Sequence, residues 1–284
     1  MAINLSTQFS ARVLEKLYAT SVTQVPFNMN YDVDFIGNQT VKIWTVDIAP
    51  LNDYDNTEMN GSRYGELLDL GDTVQEHTMN VKKSTRFIID NTFNTDQKKI
   101  KRASTAIGEW YLHKLMPYKD KYTLGVINDK ALPANKLTLG ANESIYDKVI
   151  DVNEKLDETL TPEVGRIMWA TPEAIALMKK DENFVGLSSL AQDQVKFKGQ
   201  IGEIDGLPII KTRKMFMPDN VLAIVAHPSA VISPIKIDEA KIVDGGDQAS
   251  GSIGVALVYF DTFVLEGREG NIAVISKAAG GTGE

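Results

Sequence analysis

Cysteine is absent from this 284-residue chain. That excludes disulfides, thiol catalysis and cysteine-ligated metals, and it fits folding in a reducing cytosol. Histidine is scarce: His77, His113 and His227 stand far apart, without a metal-ligand spacing such as HExxH around any of them. Long apolar runs are missing as well. Stretches such as IGVALVYF at 253–260 fall well short of the roughly 20 residues a membrane-spanning helix needs. The first residues, MAINLSTQFSARVLEKLY, lack the continuous apolar region of a signal peptide. The reading is a soluble chain, cytosolic at synthesis. Positive charge is in deficit, with 30 Lys and Arg against 38 Asp and Glu for a net charge of −8. A dedicated nucleic-acid binder would instead carry a basic footprint.

What is present suffices for one large domain or two smaller ones, since 43% of residues are hydrophobic. Leu5, Phe9, Val13 and Leu17 recur every four residues, the pattern of a short amphipathic helix. An aperiodic stretch follows and reads as an extended arm. TVKIWTVDI (40–48) is rich in β-branched residues and predicts a strand. TMNVKKSTRFIID (78–90) sets Met79, Val81, Phe87 and Ile89 against Asn80, Lys82, Ser84 and Arg86, a strand with one solvated face. Between them lies PLNDYDNTEMNGSRYGELLDLGD (50–72), with six carboxylates against the single base Arg63. Structureless connections beyond roughly 12–15 residues are uncommon in compact domains and are usually functional or disordered. The two strands and this tract predict an extended hairpin.

NTDQKKIKRASTAIGEWYLHKLMPY (94–118) predicts a long helix, with Asn94 as cap, a stripe of Ile100, Ala103, Ile107, Tyr111 and Leu115, and Pro117 to kink or end it. Beyond 123 the elements shorten. The pattern predicts helices over 142–160 and 172–180, strands at 166–170 and 220–227, and a strand–turn–strand over 202–211. The tail alternates strands with Gly-rich turns. The sum is an α+β chain without a repeating βαβ rhythm, an internal repeat or a linker between independent domains.

Signals of chemistry are weak. His227–Pro228–Ser229 ends a strand without the G-x-S-x-G elbow of a serine hydrolase. GGDQASGSIG (245–254) has a phosphate-loop spacing, but Ser252 stands where that motif needs Lys. A flexible turn is the simpler reading. No catalytic residue, metal site or cofactor is expected. In KKIKR (98–102), Lys98, Lys99, Lys101 and Arg102 form a basic patch suited to phosphate or to a neighbour's carboxylates, although such runs are usually a solvated face.

The order of elements, carried by PLNDY, RYGELLDLGDTVQEHTMNVKKSTRFIID, IYDKVIDVNEKLDETLTPEVGRIMWATPEAIALMKK, GEIDGLPIIKTRKMFMPDN and YFDTFVLEGREGNIAVIS, resembles the Hong Kong 97-type major capsid protein of tailed bacteriophages. The match lies in the collinear set, across nearly the whole chain, rather than in a single strict signature. It implies an N-terminal arm at 1–35, an extended β-hairpin loop (E-loop) with root strands at 36–92, and a spine helix of the peripheral domain at 93–122. An axial α/β domain would follow at 123–230, with returning strands shared by both domains at 231–284.

The resemblance implies a structural protein that assembles through pentamers and hexamers into an icosahedral head around double-stranded DNA, bound without sequence specificity. It implies location in the virion and assembly in the host bacterial cytoplasm. A portal is an expected partner. Because the chain reaches capsid-like elements almost at once, a separate scaffolding protein is expected too. Leu51, Asp53, Tyr54, Met59, Arg63, Tyr64, Glu66, Leu67, Leu68 and Asp69 would contact a neighbouring subunit through the extended loop, with Lys98, Lys99, Lys101 and Arg102 as the basic partner patch. Some relatives cross-link through a lysine on this loop, but none lies between Lys42 and Lys82 here. Three other readings remain: an encapsulin-type nanocompartment shell, a hydrolase with residues 50–72 as a lid, and a tail-tube protein, which the long spine helix disfavours.

Overall fold

β1 (Thr40–Val46), built largely of β-branched residues, pairs antiparallel with β2 (Asp72–Thr78) in a register running from Thr40 opposite Thr78 to Val46 opposite Asp72. Lys42 faces Glu76 across the pair and bonds it at 2.5 Å, a cross-strand charge pair of the kind that fixes register. The computed structural model describes residues 21–23, 27, 40–46, 51–54, 56–57, 63–64, 69, 71–90, 103–140, 143–181, 200–244 and 251–278. The chain divides into two compact units, one of residues 30–79 and one of the remainder. The N-terminal helix read from the sequence lies outside the described residues.

The hairpin differs from the sequence reading in its partner strand. β1 pairs with 72–78, whereas β3 (Val81–Asp90) joins another sheet. Alternation alone carries no information about where one strand stops and the next starts. Here the break falls at Met79–Asn80, where the Asn80 N–H donates to the buried Asp261 carboxylate at 2.8 Å and pins the start of β3.

Within the larger unit, β3 is one edge of a three-stranded antiparallel sheet completed by β10 (Ile235–Asp244) and β11 (Gly251–Phe260), in the order β10-β11-β3. The helix α1 (Ala103–Trp110), a π-helical turn (Tyr111–Leu115) and α2 (Met116–Lys130) pack Ile107, Tyr111 and Leu115 on Ala256, Val258 and Phe260 of β11. The helix does not end at Pro117, one of the two outcomes the sequence allows there, but runs on to Lys130. Proline lacks an N–H and crowds the carbonyl four residues back. The π turn immediately before it, where the Met116 N–H reaches the Tyr111 carbonyl, absorbs the misfit without breaking the rod.

A six-stranded sheet in the order β4-β13-β8-β5-β7-β6 forms the second layer system. Its strands are β4 (Lys136–Leu139), β5 (Ile167–Ala170), β6 (Gln200–Ile204), β7 (Leu207–Lys211), β8 (Val221–Ala226) and β13 (Ile272–Lys277). β8 is buried along its whole length, as expected of a strand covered on both faces. Ala223 and Val225 face α3 (Ile145–Glu158) and α4 (Pro172–Lys180). Ile224 and Ala226 face Leu124 and Ile127 of α2 with Trp169. The short pair β9 (Val231–Ile232) and β12 (Phe263–Val264) lies on that second side. The sequence Asp205–Gly206 makes a two-residue hairpin between β6 and β7, both residues at positive φ (49° and 73°), as a type I′ turn requires.

Candidate interaction surfaces

The described residues of the connection between β1 and β2 are exposed. Leu51 is 100% exposed and Tyr64 79% exposed, and Asp53, Tyr54, Arg63 and Asp69 are also on the surface. The connection has internal order of its own. The Tyr54 and Tyr64 rings meet edge-on at 5.0 Å between centroids, and the Asn52 side-chain amide donates to the Tyr64 carbonyl at 3.4 Å. The structure thus brings Tyr54 and Tyr64 together across the tract. Met59, Glu66, Leu67 and Leu68 lie outside the described residues, as do Lys98, Lys99, Lys101 and Arg102 of the basic patch.

Residues 21–23 are held against the long helix in the larger unit. The buried Asp120 carboxylate accepts from the Ser21 hydroxyl at 2.5 Å, the Thr23 hydroxyl at 2.7 Å and the Val22 N–H at 3.2 Å. The Trp169 indole N–H donates to the Val22 carbonyl at 2.8 Å, and Phe27 packs against the Trp169 ring. Beside this anchor a cleft of about 600 Å³ is lined by Met116, Pro117, Pro172, Arg213, Met215 and Phe216. Lys119 is buried next to Asp120. Desolvation brings its ammonium down to about 8, against the opposing pull of the Asp120 charge.

His227 and Ser229 do meet, at 2.6 Å through Nδ1. The arrangement is a cap: Nδ1 also accepts the Ser229 N–H at 3.2 Å, while Nε2 lies 3.1 Å from the Val164 carbonyl. A nucleophile's histidine would instead be oriented by a carboxylate on its other nitrogen. Among the described residues, no group of His, Asp and Glu side chains is placed to hold a metal ion.

The loop between α3 and β5 carries a feature that sequence patterning gives no sign of. Buried Arg166 ties it together, donating from Nη2 to Asp157 and to the Thr161 carbonyl, each at 2.5 Å, from Nη1 to Asn153 at 3.1 Å, and from Nε to the Pro162 carbonyl at 3.0 Å. Thr161 donates to the Asn271 side chain at 2.9 Å. On this fixed loop Leu160 is 91% and Val164 88% exposed.

No protein family described by sequence matches this chain, and no curated protein does. Solved structures do. A chain of Mycobacterium phage Che8 superposes with a TM-score of 0.62 at 20% identity, over 87% of this chain and 88% of that one. The capsid of Ralstonia phage GP4 gives 0.63 at 11% identity, over 90% and 87%. The virus-like particle from Pyrococcus furiosus gives 0.54 at 10% identity, over 96% and 100%. The chain has the fold of tailed-phage capsid subunits, the Hong Kong 97 type that the order of elements in the sequence predicts.

Proposed function

We propose that this chain is the major capsid protein of a tailed bacteriophage, assembling through pentamers and hexamers into the icosahedral head around double-stranded DNA. The observation that carries this reading is the shared fold over some nine-tenths of both this chain and the GP4 capsid chain. A second feature supports it. Residues 30–79 form a unit of their own whose connection presents Leu51 and the Tyr54–Tyr64 pair to solvent. Exposed aromatic and aliphatic anchors ringed by charge are the composition of an interface core. In this reading 1–35 is the N-terminal arm, anchored by Asp120, and 36–92 the extended loop with its root strands. Residues 93–122 are the spine helix, 123–230 the axial domain and 231–284 the returning strands.

The protein acts structurally and not as an enzyme. Its acidic balance suits a container, because a wall that does not bind DNA avoids trapping it during packaging. Portal and scaffolding proteins are its partners, and Lys98, Lys99, Lys101 and Arg102 meet the loop carboxylates of a neighbour. Electron microscopy of the purified protein, expressed alone and with its genomic neighbours, tests the reading. Closed icosahedral shells, or pentamers and hexamers in equilibrium with them, are expected. A stable monomer or dimer under every condition would contradict it.

The superposition on the Pyrococcus furiosus virus-like particle favours one alternative, a nanocompartment shell of encapsulin type, with the lower TM-score of 0.54. Particles that co-purify with a folded enzyme and no DNA would favour it. Portal and terminase genes beside the coding sequence would favour the phage head.

A further inference from the structure

The cleft of about 600 Å³ beside the long helix has one wall of Leu112, Met116 and Pro117, with Asp120 further along the same helix. The other wall is Pro172 with Met215 and Phe216 of the single 3-10 turn Lys214–Phe216 that follows β7. Met215 lines this apolar cleft and is still 63% exposed. Val22 lines it too, and the chain is fixed at that point. Asp120 accepts from Ser21, Thr23 and the Val22 N–H, while the Trp169 indole holds the Val22 carbonyl. The residues before Ser21 therefore depart from the Asp120 end of the cleft.

Those residues carry the apolar stripe Leu5, Phe9, Val13 and Leu17. A helix with such a stripe draws most of its stability from packing the apolar face, so it calls for a receiving surface. The dimensions of the cleft agree with it. Phe9 to Leu17 covers eight residues, roughly 12 Å as a helix, and Leu112 to Asp120 covers the same length. Leu17 stands four residues before Ser21, a tether that reaches up to about 14 Å. The fit is apolar and does not depend on charge. Asp120 is taken up by residues 21–23, and His113 at the cleft pairs with Glu109 at 2.9 Å. Lys211 and Arg213 are exposed, and Arg12, Glu15 and Lys16 of the segment fall outside the stripe.

We propose that the segment 5–17 folds as a helix into this cleft of its own chain, seating Phe9, Val13 and Leu17 between the long helix and the Lys214–Phe216 turn. The tether selects the chain's own segment over a second copy's. A segment held a few residues from its site has an effective concentration on the order of millimolar, far above that of dilute dissociated subunits. The N-terminal segment is then a strap that joins the long helix to the six-stranded layer. The contact lies within one copy and stands apart from the capsid reading.

The chain has no cysteine, so paired substitutions report cleanly. Full-length Val13→Cys/Met215→Cys protein, kept dissociated in dilute solution and treated with a short bis-maleimide, is expected to gain one bridge within a single chain. Mass spectrometry of the joined peptides locates it. Linked dimers put another copy's segment in the cleft and overturn the proposal, as does the absence of a 13–215 bridge. Val13→Cys/Val164→Cys is the comparison, because Val164 precedes β5 and Pro172 follows it. Bridging as fast in that variant shows a segment that visits the whole surface, which also overturns the strap. Methionine oxidation supplies an independent check on the full chain. Met215 is expected to form its sulfoxide at least fivefold more slowly in the unsubstituted protein than in Val13→Asp/Leu17→Asp, while buried Met178 stays protected in both. Equal rates at Met215 count against the contact.

Discussion

Gly254 has no space for a side chain. It stands opposite Phe87 across β11 and β3, and a Cβ placed on it would come within 2.4 Å of the Phe87 ring. The phenyl ring covers the bare backbone and packs with Val81 against the helix-facing core. Gly254→Ala should push the ring outward and cost about 1–3 kcal/mol, the usual range for overpacking, read by denaturant unfolding of the dissociated chain. A change below about 0.5 kcal/mol would show that the ring yields freely. Lys119 makes a pH-dependent statement. Its pKa falls from 10.5 unfolded to about 8 folded because burial penalises the ammonium. Between those values the unfolded chain binds more protons, so stability rises with pH from about 8 towards 10. Above that, Tyr111, raised to about 12 by burial, pulls stability down. Lys119→Met should be more stable at pH 7 by roughly 2 kcal/mol and lose the rise above pH 8. A parallel pH profile in both proteins would contradict this account.

At the scale of elements, hydrogen-bond networks hold what periodicity does not specify. Buried Arg166 satisfies the carbonyls of Thr161 and Pro162 along with Asn153 and Asp157. Arg166→Met would leave those carbonyls without donors and should cost about 2–4 kcal/mol, with faster hydrogen exchange confined first to the 159–166 loop. Uniform destabilisation without local exchange would argue against a loop-fixing role. The same contrast explains which elements were legible. The stripes in 142–160 and 172–180, the Asp–Gly turn and the β-branched runs report burial on a fixed period, and the structure has helices at Ile145–Glu158 and Pro172–Lys180 and a hairpin at Asp205–Gly206. Strand partnership was not legible. β1 pairs with 72–78, while 81–90 joins another sheet, its start held by a bond from Asn80 to Asp261, 181 positions away. Nor was the length of the long helix, because the π turn that accommodates Pro117 leaves no pattern in the sequence. On the surface, Tyr54 and Tyr64 stood out as apolar residues in an acidic tract. Leu160 and Val164 passed unnoticed, since exposure on a loop depends on the hydrogen bonds that shape it.

For the whole molecule, the capsid reading makes stability a property of the assembly rather than of the subunit. Many weak contacts, each repeated around a closed shell, hold together because they act in concert. If the extended loop finds its register on a neighbour by charge, the double reversal Arg63→Glu/Glu66→Lys should impair assembly while leaving the subunit's melting temperature unchanged. Mispaired charges at an interface rim act chiefly on association and its salt dependence. Normal shells from that variant would remove charge from the loop's role. A continuous basic lining on the inner surface of the shell would likewise contradict the non-binding wall.

The most direct measurement is a reconstruction of the assembled particle by electron cryo-microscopy. The account predicts a closed icosahedral shell in which Leu51, Tyr54 and Tyr64, exposed in the single chain, are covered by a neighbouring copy. A chain that never leaves the monomer or dimer, or a shell in which those side chains stay in solvent, would contradict it.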